Sequence, residues 1–243
     1  MSPNFSPNLL NRIPKISYNP VEATKSCRTE KAEIITLSSE QAQKLLHIAK
    51  IENQTAYMAI LLALSTGMRL GEIFGLLWEN IDIEGKKLYV KQTLVSTSHG
   101  YRVEPSPKTK AGYRQIELPK HCLDALQEHK KWQDTNKAEW LDQYVDDGIV
   151  ISNENGSYKD PSYFSYITFK RLLVEAGISE SVRFHDLRHT HATWLLEKGV
   201  HPKVVAERLG HSSIRITLDT YSHVIKGLQQ IAVNKIDEIT DNW

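Results

Sequence analysis

The sequence predicts an α+β fold that is mostly α-helical and carries one small antiparallel β-sheet. From about residue 38 onward, most segments have apolar residues at helical spacing, bounded by capping residues and glycines. Only residues 86–119 contain short runs in which apolar and polar residues alternate. A length of 243 residues, with 40% apolar and 24% charged residues, suits one large domain or two small ones.

The first part of the chain differs in composition from the rest. Residues 1–34 contain Pro3, Pro7, Pro14 and Pro20 and lack hydrophobic periodicity, which is typical of a tail or linker. We therefore expect the folded domain to span residues 35–243. Cys27 and Cys122 are too few for a disulfide framework, no apolar run reaches the length of a membrane span, and no signal peptide is evident. A reduced, cytoplasmic setting without membrane contact is expected.

Three helices are predicted ahead of the sheet. The first opens at Ser38 or Ser39, either of which can cap it. The second, residues 55–66, is nearly all apolar and should end at Gly67. The stretch "MRLGEIFGLLWENID" keeps apolar residues at helical spacing, so a third helix is expected to run through it.

Three β-strands are predicted next. "KKLYVKQTLV" alternates, with Leu88, Val90 and Leu94 on one side, and "YRVEPS" and "YRQIELP" are shorter runs of the same kind. Between the last two lies "PSPKTKAG", a turn-rich basic loop. One small antiparallel sheet with a basic hairpin follows from this order.

The remainder of the chain returns to helical patterns that stop at Gly177, Gly199 and Gly210. Helices are expected at about residues 121–132, 162–177, 185–198 and 202–209, from Ser212 or Ser213 onward, and at about 225–240. The last of these places one apolar stripe along the helix, formed by Ile225, Leu228, Ala232, Ile236 and Ile239.

The stretch "RFHDLRHTHATWLL" concentrates histidines around an arginine and admits three interpretations. His185 and His189 have the i, i+4 spacing of helical zinc ligands, but Arg188 would place a positive charge beside the metal and no cysteine is near. Partly buried structural histidines are the second interpretation, and we expect it for His189 and His191. The third is an anion site, because arginine and histidine on one helical face suit a phosphate.

Other parts of the chain supply residues that match a phosphate site. "TGMRLGEIFGL" places Arg69 after a helix-ending glycine, with Glu72 one turn later to hold the guanidinium. "LGHSSIRITLDTYSHV" places His211 at a helix start and Tyr221 ten residues later, and the basic loop offers Lys108. Each residue alone has an ordinary surface or core interpretation.

Together, "TGMRLGE", "PKTKAGYRQI", "HDLRHTHA" and "LGHSSIRITLDTYSH" resemble the tyrosine recombinases, often called phage integrases. The resemblance covers about residues 34–226 and is greatest to the integrases of Gram-positive phages and integrative conjugative elements. It implies the catalytic fold of that family and site-specific cleavage and rejoining of DNA through a covalent 3′-phosphotyrosine, which integrates or excises a mobile element. No cofactor and no metal ion are implied.

The resemblance also assigns roles to individual residues. Tyr221 would be the nucleophile, Arg69 and Arg188 would bind the scissile phosphate, and His211 would add a phosphate contact. Lys108 would protonate the leaving 5′ oxygen, His185 would act as a general acid or base near the tyrosine, and Glu72 would support the site.

The resemblance sets further expectations about partners. Double-stranded DNA at attachment sites would be the substrate, and the protein would assemble as a tetramer on it. Excision factors or host DNA-bending factors would be possible further partners. Relatives carry a core-binding domain ahead of the catalytic part, so residues 1–34 look like the linker from a missing domain. The helix at about 225–240 would either join the core or dock on a neighbouring protomer. Strand relaxation of the type IB topoisomerase kind, or an inactive DNA-binding regulator, remains an alternative.

Overall fold

A computed structural model describes residues 34–98, 100–105, 112–222, 224 and 229–241 of the chain. Contacts divide the chain into Met1–Glu33, which lies outside the described residues, and a unit from Ile34 to Trp243. The helices of the second unit are α1 Ser39–Glu52, α2 Gln54–Thr66, α3 Leu70–Phe74, α4 Lys120–Trp140, α5 Pro161–Tyr163, α6 Phe169–Glu175, α7 Phe184–Glu197, α8 Pro202–Leu209, α9 Ile214–Thr220 and α10 Gln229–Thr240. Its strands are β1 Ile81–Asp82, β2 Lys87–Val90, β3 Gln92–Thr97, β4 Gly100–Pro105 and β5 Arg114–Glu117. The predicted α+β class, mostly helical with small antiparallel sheet structure, is confirmed.

The predicted helix ends are set by local capping. Ser38 accepts a hydrogen bond from the Gln41 backbone at the start of α1, and the Gln41 side chain bonds back to the Ser38 backbone, which forms a capping box. Gly67 ends α2 and Gly210 ends α8, both in the left-handed conformation with φ of 68°. Of the two serines considered for α9, Ser213 is the N-cap.

The predicted third helix is wrong beyond Phe74. The chain leaves the helix at Gly75, because Leu76 and Leu77 pair with another segment instead: the Val150 amide donates to the Leu76 carbonyl, and Leu77 forms an antiparallel bridge with Ile149. Gly75 also contacts a strand closely, since a Cβ there would lie 2.6 Å from the Leu94 backbone nitrogen. Tertiary backbone pairing therefore overrides the helical spacing of the sequence.

The strands form two small sheets rather than one. One sheet has the order β1-β2-β5 and the other pairs β3 with β4, all antiparallel. The run "KKLYVKQTLV" is divided at Lys91, yet Leu88, Val90 and Leu94 are all buried as the alternation predicts. Residues 106–111 of the basic loop lie outside the described residues.

The helix predicted over residues 162–177 is interrupted by one π-helical turn. Residues Phe164–Thr168 form that turn between α5 and α6, and Gly177 then takes a φ of 67° as predicted. Phe164 and Phe169 are fully buried on the inner side, where each ring packs edge-on against Phe184. The extra residue of the turn keeps both rings in contact with α7.

Two hydrophobic clusters form the core. The larger cluster is built on α2 and includes residues from α1, α4, the strands, α6 and the first half of α7. The smaller one consists of Ala192, Leu196, Val205, Leu209 and Tyr221, and so joins α7 to α8 and to the end of α9. A tyrosine that is 1% exposed in an apolar cluster is the feature that links the fold to the candidate site.

The last helix does not pack into this core along its described part. Ile236 and Ile239 are 58% and 61% exposed, and Ala232 is exposed. The interpretation of the stripe as ordinary core is therefore wrong for these three residues, while Ile225 and Leu228 lie outside the described residues.

Replacement of Gly67 should disturb the packing beside the candidate site. A Cβ at Gly67 would lie 2.6 Å from Leu209 Cδ2 and 2.7 Å from His191 Cδ2, whereas a Cβ at Gly199, also left-handed with φ of 76°, meets nothing within 4 Å. We expect Gly199→Ala to lower the free energy of unfolding by about 1–2 kcal/mol through backbone strain. Gly67→Ala should cost about 1–3 kcal/mol more because of overpacking.

Urea denaturation of both variants and the parent chain measures the difference. Because the two glycines share a backbone conformation, their difference isolates the packing effect. Equal losses would contradict the close contact at Gly67.

Candidate phosphate-binding site

Residues from four parts of the fold line one cleft of about 400 Å³. Arg69 precedes α3, His185, Arg188 and His189 lie on α7, His211 follows α8, and Tyr221 follows α9. The residues lining the cleft are Arg69, His185, Arg188, His189, Gly210, His211, Ser212, Ile216, Thr220 and Tyr221. Five of the six residues predicted to be catalytic therefore meet in one place. The sixth, Lys108, lies outside the described residues.

Arg188 is a buried cation that has no acidic partner among the described residues. Its side chain is 3% exposed, and Nη1 donates to the Gly67 carbonyl oxygen at 2.6 Å. In the described part of the chain no carboxylate oxygen lies within 4.0 Å of this guanidinium, and Glu72 acts on it only from further away. Burial, and to a lesser degree the charge of Arg69, lowers the pKa of Arg188 to about 9. The group stays charged at neutral pH and favours a bound anion.

Arg69 is more accessible than Arg188 and is held by Glu72, as predicted. Arg69 Nη1 donates to Glu72 Oε1 at 2.9 Å, and the Arg69 backbone amide donates to Oε2 at 2.9 Å. The Arg69 side chain is 43% exposed while that of Glu72 is 3% exposed. The carboxylate thus fixes one edge of the guanidinium and leaves its other donors available at the cleft.

Arg114 is a second partner of Glu72 that the sequence analysis missed. Its Nη1 and Nη2 donate to the two Glu72 oxygens at 3.1 Å and 2.7 Å, and its side chain is 6% exposed. Burial alone would raise the pKa of Glu72, but the Arg114 hydrogen bond and the two positive charges lower it below its usual value. The sequence contained an indication of this role. Arg114 alternates with Ile116 and Leu118 along β5 and the residue after it, which places Arg114 on the inward side.

The histidines of the cleft are neutral at neutral pH. His185 lies at the mouth of the cleft, with part of its side chain exposed. Partial desolvation of its ring, followed by the electrostatic effects of His189 and Arg188, lowers the pKa of His185. Desolvation followed by the charge of Arg188 lowers the pKa of His211 to about 4, and its Nδ1 lies 2.8 Å from Thr217 Oγ1. A phosphate would reverse these shifts, because an anion stabilises the protonated imidazole.

Tyr221 is the most buried member of the site. Its ring belongs to the small apolar cluster, and its hydroxyl lies 2.8 Å from His189 Nδ1. Burial raises the pKa of Tyr221 to about 12, an effect that the charge of Arg188 only partly offsets. In this state the phenol is protonated and hydrogen-bonded.

The placement of His189 corrects the sequence analysis. His189 was expected to be structural, yet it lines the cleft, bonds to Tyr221 and packs edge-on against His185 with ring centroids 4.9 Å apart. The i, i+4 spacing of the two histidines already indicated a common face. His191 does have the predicted structural role: it is 5% exposed, its Nδ1 bonds to the Leu64 carbonyl, and its Nε2 accepts from Arg208 Nε.

Metal-binding clusters and membrane-spanning helices are both absent from the described residues. No group of three or more His, Cys, Asp and Glu side chains in them is arranged to hold a metal ion. None of the helices in those residues is both long and apolar enough to cross a bilayer.

Several known proteins are similar to this chain in sequence. The sequence profile of the phage integrase family matches residues 36–227. A XerC-like tyrosine recombinase of Caldanaerobacter subterraneus subsp. tengcongensis is 37% identical over 218 residues, covering 85% of this chain and 55% of the relative. The ICEBs1 integrase of Bacillus subtilis is 25% identical over 226 residues, covering 92% of this chain and 60% of the relative. The chain therefore spans little more than half the length of these relatives.

A solved structure is similar as well. The Tn1549 transposon integrase, in complex with circular intermediate DNA, superimposes with a TM-score of 0.66 at 25% identity and covers 84% of this chain and 66% of that one.

Arg114 should contribute more to the free energy of unfolding than a residue in an exposed ion pair does. Arg114→Met leaves the buried Glu72 carboxylate with Arg69 as its remaining cation, so we expect the free energy of unfolding to fall by about 3–5 kcal/mol. Lys120→Met, which breaks the exposed Lys120–Asp124 pair, is the matched control and should cost under about 1 kcal/mol. Chemical denaturation compares the two, and similar small losses would contradict the role of Arg114.

Acid should destabilise the folded protein between pH 6.5 and about 4. Burial lowers the pKa of His129 and of His191 from 6.5 to about 4. In that window the unfolded chain binds protons that the folded chain does not, so unfolding takes up protons and stability falls as pH falls; above about pH 6.5 the contribution is complete.

Thermal unfolding across this range should show a falling Tm, and His129→Gln, whose amide can still donate to the Val150 carbonyl, should flatten the acid limb. A Tm that does not change from pH 6.5 to 4.5 would refute the assignment of neutral buried histidines.

Proposed function

This chain belongs to the phage integrase family, and on that premise we propose that it is a site-specific DNA recombinase. It cleaves and rejoins DNA strands through a covalent 3′-phosphotyrosine and so integrates or excises a mobile element. The observation that carries the proposal is the cleft lined by Tyr221 and two arginine side chains, one of them buried without a carboxylate partner among the residues that the structure describes. The positive charge and hydrogen-bond donors of such a cleft suit a phosphodiester.

The two arginines supply the charge that the reaction requires. Negative charge builds up on the equatorial phosphate oxygens as the nucleophile approaches, and fixed guanidinium groups stabilise it. Arg188 is held by the Gly67 carbonyl and Arg69 by Glu72, so neither has to be reorganised when DNA binds. His211, neutral in the free protein, adds a donor to the same phosphate.

Tyr221 attacks the scissile phosphorus, and the bond from phosphorus to the 5′ oxygen breaks. The strand end is then held as a 3′-phosphotyrosine ester, and the departing 5′ oxygen takes a proton from Lys108. Attack by a 5′-hydroxyl of another strand reverses the step and releases Tyr221. The ester retains the energy of the broken bond, so rejoining needs no nucleotide cofactor. The role of Lys108 rests on the resemblance to the family.

His185 lies at the mouth of the cleft, against the ring of His189, where we propose that it acts as a general acid or base. Glu72 acts through Arg69 as a positioning residue. We propose that duplex DNA at attachment sites is the substrate, in the bacterial cytoplasm, and that four copies assemble on it. The exposed apolar residues Ile236 and Ile239 support an assembly role for α10.

Tyr221→Phe tests the proposed function most directly. On a nicked suicide DNA site, the parent protein should form an SDS-resistant protein–DNA adduct, and Tyr221→Phe should form none while it still binds DNA. The phenylalanine ring keeps the packing of the small cluster and removes only the hydroxyl. Tyr166→Phe, at a side chain that is 72% exposed, is the matched control and should form the adduct normally.

An adduct that survives Tyr221→Phe would overturn the nucleophile. Relaxation of supercoiled DNA without a preferred site would favour a type IB topoisomerase activity. DNA binding by the parent protein without any adduct would favour an inactive regulator.

A further inference from the structure

The hydroxyl of Tyr221 has one side-chain hydrogen-bond partner among the residues that the structure describes, and that partner is His189. The distance to His189 Nδ1 is 2.8 Å, and the two rings meet edge-on with centroids 5.8 Å apart. We infer that His189 is the proton acceptor that activates Tyr221, an inference that rests on the proposed function. His185, to which the resemblance gives an acid or base role, has no hydrogen bond to the phenol in the described residues.

The proton and electron balance of this step is simple. The step requires neutral His189 with its proton on Nε2, because Nδ1, which lies 2.8 Å from the hydroxyl, can then accept the hydrogen bond from the phenol. As the Tyr221 oxygen bonds to phosphorus and the bond to the 5′ oxygen breaks, the phenolic proton moves to Nδ1 and leaves an imidazolium. In rejoining, a 5′-hydroxyl attacks, the phenolate oxygen leaves, and the imidazolium returns the proton to it.

The protein environment is suited to a base at this position. The burial of the ring lowers the pKa of His189, Asp186 partly offsets this, and Arg188 and Arg183 add to it, so the ring is unprotonated and able to accept at neutral pH. The charged and titratable groups that act on it are Asp186, Arg188 and His185 on α7, Arg183 just before that helix, and His211 and Tyr221 from the other walls of the cleft.

Without an acceptor the phenol would be a poor nucleophile. The hydroxyl lies in an apolar cluster that raises the pKa of Tyr221 to about 12, so only about one molecule in 10⁵ carries a phenolate at pH 7. Arg188 lowers this pKa but not enough to ionise the group. A base in direct contact removes the need for a free phenolate, because the proton leaves as the new bond forms.

The position of His189 allows a substitution that distinguishes a proton acceptor from a residue that only supports Tyr221. His189 is partly exposed, and its ring lies between the Tyr221 ring and the His185 ring, at 5.8 Å and 4.9 Å. Asparagine at this position can place a polar atom near that of Nδ1, but it cannot take up a proton. The substitution therefore retains a hydrogen bond and removes the base.

The experiment measures single-turnover cleavage of a suicide DNA site by the parent protein, His189→Asn and the control His47→Asn, whose side chain is exposed on α1. At pH 7 we expect His189→Asn to cleave at least about 100-fold more slowly and to rejoin more slowly by a similar factor. Its rate should rise about tenfold per pH unit, because hydroxide then removes the proton. His47→Asn should match the parent.

Two further readouts distinguish the role of His189 from other roles. A site with a 5′-bridging sulfur has a leaving group that needs no proton, so it should restore Lys108→Ala but leave His189→Asn slow. Added imidazole should accelerate His189→Ala, since the cleft has room for it. Rescue of His189→Asn by the sulfur substrate would overturn the inference by making His189 an acid. Loss of less than about threefold, or a large loss with an unchanged pH profile and no imidazole rescue, would overturn it by making His189 structural.

Failure of the inference and failure of the proposed function are separate results. If the parent protein forms no adduct on either substrate, the proposed function fails. If the parent forms the adduct, Tyr221→Phe abolishes it, and His189→Asn cleaves normally, the function stands and the inference is wrong.

Discussion

The structure depends on the placement of one buried positive charge, the guanidinium of Arg188. A charge at that depth must be compensated, and among the described residues only the carbonyl oxygen of Gly67 lies at hydrogen-bond distance. Gly67 can present this carbonyl because its left-handed backbone ends α2 and turns the chain toward Arg69. The end of α2, the start of α3 and the middle of α7 are thus fixed by the same contact, and the remaining compensation is left to a ligand.

A chain of polar contacts extends this arrangement across the domain. Glu72 is shared by Arg69 and Arg114, and Arg114 Nε donates to the Arg208 carbonyl at 2.8 Å. Arg208 in turn contacts the Ser65 carbonyl and His191. The three-stranded sheet, α2, α7 and α8 are therefore connected through side chains that are mostly buried, which holds the walls of the cleft in register.

Much of the fold was predictable because helix ends are governed by local chemistry. Ser38, Gly67, Ser213 and Gly210 act where the sequence placed them, since capping depends only on near neighbours. The early end of α3 and the division of the strands into two sheets were not predictable in this way. Both depend on pairing with residues distant in sequence, such as the bridge between Leu77 and Ile149.

The candidate site shows the same division between local and distant information. The motifs and their order predicted Arg69, Arg188, His211 and Tyr221 as site residues. The fold places all four in one cleft. The roles of Arg114 and His189 stayed hidden, because each is defined by a partner 42 or 32 residues away in sequence. Their positions on a strand face and a helix face indicated the direction of each side chain, but not what it would meet.

The burial of Tyr221 couples reactivity to local stability. Its ring is one of only five buried residues in the small cluster between α7, α8 and α9 in the described structure, so any movement of the hydroxyl out of contact with His189 also removes apolar contacts from that cluster. Small clusters near the end of a domain open more readily than its main core. Opening of this cluster therefore separates Tyr221 from His189, so under the proposed function the local stability of this corner would set the fraction of molecules in which the tyrosine is positioned to react.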